Sequence, residues 1–95
     1  MVRIYKFKYY NIYSNHNNGF IVHNTRKDFQ NGHTHLNNYN TAKYLIRLSY
    51  YHRIPDHLSE YIIDSLIRIS NNKDYIDQLY QIKSKMKKRH GKVHH

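Results

Sequence analysis

Ile, Tyr and Phe recur from Val2 to Tyr13, interrupted by Arg3, Lys6 and Lys8. Branched and aromatic residues with that moderate alternation predict a strand. The stretch Ser14-Asn15-His16-Asn17-Asn18-Gly19 then clusters turn formers, and its Asn18-Gly19 pair takes positive φ at low cost. Phe20 to His23 predicts a second short strand. Residues 1–23 therefore read as an N-terminal β-hairpin. It must pack on something, because an isolated two-stranded ribbon is barely stable in water. Residues 24–39 keep no sustained period and read as a loop, which admits a brief third strand at His33–Leu36.

Period then changes from two to about 3.6. A first helix is predicted from an Asn40 N-cap to Tyr51 or His52, with Ala42, Leu45, Ile46 and Ser49 on one face. It stops there because Ile54 precedes Pro55 and is pushed out of the helical region. Pro55 suits the first turn of a second helix. Asp56 and Glu60 lie at the positive end of its dipole. Leu58, Ile62, Leu66 and Ile69, widened by Ile63 and Ile67, give a stripe broad enough for a central, buried helix, with Asp64 and Arg68 paired on the remaining face. Asn71-Asn72 ends that helix and caps a third. The third helix carries its stripe on Tyr75, Leu79, Ile82 and Met86 and runs to about Arg89 or His90, with Gly91 as its stop. The expected fold is one α+β domain of order ββααα over residues 1–95: a hairpin packed on a three-helix unit at 40–90, with 91–95 as a frayed tail.

Charge changes this picture more than composition does. The net charge is +10, but unevenly spread. Residues 1–54 hold eight Lys/Arg and one acid, the last 14 hold six and none, and residues 55–81 hold five acids against Arg68 and Lys73. Clustered positive charge attracts polyanions. The absence of cysteine removes disulfides and thiolate metal sites. With no signal-peptide pattern and no long apolar segment, the chain is expected in the cytoplasm, away from membranes.

The candidate chemistry is mainly cationic. Arg3, Lys6, Lys8, Arg26 and Lys27 cluster on or beside the hairpin, interleaved with tyrosines that include Tyr9 and Tyr10. Lys85, Lys88 and Arg89 stand within the six cations that load the end of the third helix, more than a helix dipole accounts for. Cations beside aromatic faces serve both phosphate neutralisation and base stacking. His33 and His35 share one side of an extended segment and are expected to contact a partner. With His23 they make three imidazoles, but the spacing matches no zinc signature, so neither metal nor cofactor is expected. A helix-turn-helix is the alternative reading. It asks Glu60 and Asp64 of its recognition helix to face phosphates.

The segment from Gly19-Phe20-Ile21-Val22 through Gly32-His33-Thr34-His35-Leu36 to Leu58-Ser59-Glu60-Tyr61 and Ser65-Leu66-Ile67-Arg68 resembles small proteins of Firmicutes phages and prophages. That resemblance implies a host-takeover factor or an anti-CRISPR-type inhibitor, without catalytic residues, acting in a bacterial host. Its partner would be nucleic acid or a host nucleoprotein such as a Cas effector. Its oligomeric state is left open between monomer and homodimer. Phe20 to Arg26 also resembles the strand that follows the turn in GIY-YIG nucleases, which would imply a remnant of that family. The family's glycine before the Thr and its helical arginine are missing, and Glu60 is the sole glutamate.

Overall fold

The computed structural model describes residues 1–15 and 19–93, with side chains described as far as Lys87. Strands β1 (Val2–Phe7), β2 (Tyr10–Ser14), β3 (Phe20–Asn24) and β4 (His33–Leu36) precede helices α1 (Tyr39–Tyr51), α2 (Glu60–Ile69) and α3 (Lys73–Val93). The strands form one antiparallel sheet in sequential order. The α+β class stands, and the brief strand expected at His33–Leu36 is β4.

The single strand expected over Val2–Tyr13 is instead two. Phe7 pairs with Tyr10, and the chain reverses over Lys8 and Tyr9 with Lys8 at φ 56°. Neither residue is a turn former, so composition hid the reversal. Folding the run back places Tyr5 and Phe7 on the same sheet face as Tyr10 and Ile12, so four large apolar side chains share one layer. Left-handed backbone costs a non-glycine residue about 1–2 kcal/mol. The Lys8 ammonium, 5.7 Å from the Phe7 ring centroid and 5.6 Å from that of Tyr50, offsets part of it. The turn expected at 14–19 falls partly on residues 16–18, outside the described residues. Its flanks are joined by Asn15 N–H donating to the Gly19 carbonyl at 3.0 Å.

Helix ends differ from the sequence reading for local reasons. Asn38, two residues before the expected cap, starts α1 by accepting from Thr41 N–H at 3.0 Å, and Tyr39 becomes the first helical residue. At the other end His52 takes left-handed backbone, and Arg53 N–H returns to the Leu48 carbonyl at 2.9 Å. Helix α2 begins at Glu60 rather than Pro55, because His57 at φ 64° breaks the helical path and the Ser59 hydroxyl caps Ile62 N–H. Asn72 caps α3 as expected, accepting from Tyr75 N–H at 2.8 Å. Gly91 does not stop α3: no described glycine has positive φ, and the helix continues to Val93. The frayed tail expected at 91–95 is thus helical to residue 93, and residues 94–95 lie outside the described residues. No described helix is long and apolar enough to cross a membrane.

One face of the sheet is covered. Tyr10, Ile12, Val22 and Leu36 meet Leu45, Ile46 and Leu48 of α1 and Ile63, Leu66 and Ile69 of α2; Tyr75 and Leu79 of α3 close the same cluster. Each large apolar side chain so buried contributes about 1.5–3 kcal/mol. Helix α2 touches α1, α3, β3 and β4, so it is the central helix that its broad stripe predicts, while α3 packs chiefly on α2. The expected Asp64–Arg68 pair does not form. Asp64 meets Lys83 Nζ at 2.6 Å, and Arg68 donates to the carbonyls of His33 and Gln30 at 2.7 and 2.8 Å.

Polar groups in the core are joined to one another. The hydroxyls of Tyr10 and Ser49 lie 2.7 Å apart, and those of Ser49 and Ser70 2.6 Å apart. Thr34 and Ser65 hydroxyls link β4 to α2 at 2.8 Å. Asn24 Nδ2 donates to the Ile69 carbonyl at 2.9 Å, and Lys27 Nζ donates to those of Arg68 and Ser70 at 2.9 and 3.1 Å. The last carbonyls of α2, orphaned by the end of the helix, are met from β3 and the loop after it.

Ser49→Ala should cost about 1–3 kcal/mol, because it strands two buried hydroxyls at once. Tyr10→Phe should cost less, since Ser49 keeps Ser70; urea denaturation of the two variants checks the order. Gly32→Ala should lose about 1–3 kcal/mol in the same assay. A Cβ there would lie 2.5 Å from Lys27 Cβ and 3.0 Å from the Asp28 carbonyl oxygen.

Candidate functional site

Strand pairing sorts the sheet into two faces. Tyr5, Phe7, Tyr10, Ile12, Val22 and Thr34 point toward the helices. On the opposite face the register aligns Lys6, Asn11, His23 and His33 in one row. A neighbouring row aligns Arg3, Tyr13, Ile21 and His35. None of the side-chain links between helices and sheet described above reaches this second face. Four of the residues singled out in the sequence, Arg3, Lys6, His33 and His35, come together on it.

Rings run continuously along its β3–β4 side. Phe29, on the loop before β4, lies 5.2 Å from His23 and stacks on His33 at 4.4 Å with 4° between planes; His33 meets His35 edge-on at 5.0 Å. The imidazoles are also tied down: His23 Nε2 bonds the Lys27 carbonyl at 3.0 Å, and His33 Nδ1 bonds that of Phe29. Among the described residues no group of three His, Asp or Glu is placed to hold a metal; His23, His33 and His35 meet Phe29 or one another through their rings.

A second surface begins where β1 meets α1. Arg26 lies 4.1 Å from the Tyr9 ring centroid, Lys43 lies 4.6 Å from Tyr39 and 5.9 Å from Tyr5, and Arg47 lies 5.2 Å from Phe7. Lys8 over Phe7 and Tyr50, and Arg53 at 5.9 Å from Tyr51, extend the set. Beside it a groove of about 720 Å³ is lined by Tyr44, Arg47, Tyr51, Arg53 and Pro55, with no acid in its wall. Lys43, Arg47, Arg53 and the rings of α1 were not singled out in the sequence. Their signal was present: Tyr39, Lys43, Arg47 and Tyr51 recur every four residues and so share one helix face.

Three other expected site residues serve the fold or stand apart. Tyr10 is fully buried, and burial pushes its phenol well above the usual tyrosine range, so it offers no surface to a partner. Lys27 is half-buried against the end of α2, and burial, followed by the nearby Arg68 charge, holds its ammonium below the usual lysine range. Lys85 is exposed on α3, whereas the side chains of Lys88 and Arg89 lie outside the described residues.

β1 is the sheet edge opposite β4, α2 packs on β4 and β3, and α3 lies outward of α2. Ile82 and Met86 of α3 share Ile54 and Pro55 with the groove that Arg47 and Arg53 line, and the N-terminal surface is the one whose cations are fully described. On α2 the exposed residues are Glu60, Tyr61 and Arg68. Its Tyr61 and Arg68 bond the β4 carbonyls of His35 and His33, and its Asp64 holds Lys83. The stretch resembling a nuclease strand is β3 and the first turn beyond it, with Arg26 resting on Tyr9 and Glu60 at the start of α2. No family model, no curated protein and no solved structure matches this chain, so its function is to be read from these surfaces.

Proposed function

We propose that this chain is a non-enzymatic basic binding protein whose β1–α1 edge takes the phosphate backbone of nucleic acid, free or within a host nucleoprotein. It acts by occupying that surface, as a phage-type inhibitor of the anti-CRISPR or host-takeover kind does. One observation carries the reading. Among the described residues only Lys83 and Asp64 form an ion pair, so the cations of the β1–α1 edge rest on aromatic rings and not on carboxylates. A cation over a ring keeps its full charge and gains only about 0.5–1 kcal/mol when exposed. Its field is left for an outside anion, and the ring beneath it fixes its position.

Fixed cations matter because each long side chain held in place in advance loses less freedom when a phosphate arrives. Arg3 and Lys6 continue the line along β1, Lys8 turns the corner, and Lys43 and Arg47 lie on α1 four residues apart. This spread suits a polymer of phosphates better than one small anion.

Affinity for DNA should fall steeply with salt. Five phosphate contacts imply a log–log slope of about −4 to −5 on a duplex. Replacing Lys43→Glu and Arg47→Glu together should weaken binding at least about tenfold and flatten that slope by roughly two units, with unchanged thermal unfolding. Anisotropy titrations of labelled DNA across a salt series measure both. Absence of binding to DNA and RNA at low salt would overturn the reading.

A further inference from the structure

We infer that the uncovered sheet face binds an unpaired stretch of nucleic acid, with the ring ladder as stacking surface and the Asn11 amide as the group that reads a base. This rests on the nucleic-acid reading above and narrows it from phosphate binding to single strands. Asn11 is the first reason. It sits in the middle of the Lys6–Asn11–His23–His33 row and is only 8% exposed. Its Nδ2 donates to the Tyr13 hydroxyl at 3.1 Å, while its Oδ1 has no partner, the one such buried side-chain atom among the described residues. Its unpaired oxygen is an acceptor suited to the exocyclic amino donor of a nucleobase, as the asparagine oxygen is toward the adenine amino group.

The ring ladder is the second reason. Phe29 stacks on His33, which meets His35 edge-on, and Phe29 is 41% exposed although it is a large apolar side chain. Stacking on such a platform needs a base whose face is free. Bases inside a duplex have both faces occupied, so an open sheet with exposed rings favours single strands. Position is the third reason. Arg3 and Lys6 stand at the β1 end of the same two rows, and β1 also borders the cations of α1. A strand whose phosphates follow β1 would lay its bases across β2, β3 and β4.

The test uses the whole chain and labelled oligonucleotides of about 12 residues, single-stranded DNA and RNA of each base composition, beside a duplex of equal length. Single strands should bind about tenfold tighter than the duplex, Phe29→Ala should remove that advantage, and Asn11→Ala should level the preference among bases. Because Asn11→Ala touches a buried site, a second readout is the Asn11 side-chain amide resonance in labelled wild-type protein, which should shift as oligonucleotide is added. Equal affinity for duplex and single strand, unaffected by Phe29→Ala, would overturn this inference and leave the β1–α1 phosphate reading in place. An unmoved Asn11 resonance at saturation would overturn the base-reading role. No binding to any of the probes would instead overturn the nucleic-acid reading itself.

Discussion

Three carbonyls at the end of the central helix, two of its own and that of its cap Ser70, set the geometry of this molecule. Helix α2 ends at Ile69, and the carbonyls of Arg68, Ile69 and Ser70 have no further turn of helix to accept. Asn24 at the end of β3 and Lys27 in the following loop donate to them, and the hydroxyl of Ser70 joins Ser49 and Tyr10. One short stretch of backbone thereby ties β2, β3, α1 and α2 together. Unmet backbone acceptors in a core are costly, so this arrangement fixes the helix layer against one particular face of the sheet. The other face is left to the polar and aromatic side chains of the same strands.

That division also explains which cations are free to act. Lys27 is consumed by the helix end, Arg68 by two carbonyls and Lys83 by a carboxylate. The basic residues of β1 and α1 have no such structural employment, and the acids of the chain lie mostly in and around α2 and α3. Leaving like charges close together carries a repulsive cost. The rings of Tyr5, Phe7, Tyr9 and Tyr39 moderate it locally by presenting their negative faces, without cancelling the outward field.

The class of fold was legible in the sequence because the change of period near residue 40 is sharp and the stripe of α2 is wide. The split of Val2–Tyr13 was not, since the reversal rests on a lysine in left-handed backbone, a choice decided by how many rings then reach the helices. The start of α2 was misread because Pro55 is locally suited to a first turn, while the break at His57 is a tertiary matter. Among the site residues, Arg3, Lys6, His33 and His35 were found from composition and share one face. Tyr10 was taken for surface because an aromatic among lysines reads the same whichever side of a strand it occupies. Asn11 could not be singled out beforehand, as an unpaired amide is a property of surroundings and not of spacing.

The two borders of the sheet are unlike. On β4, the side chains of Arg68 and Tyr61 already occupy the carbonyls of His33 and His35, whereas β1 carries Val2 and Ile4 exposed and, among the described residues, has no strand beyond it. Lateral growth is thus blocked on one margin and open on the other. An added ribbon, from whatever source, could join only next to Val2–Phe7. Two copies meeting there would exhaust both free margins, so association by that route terminates at a pair and cannot propagate into a fibre.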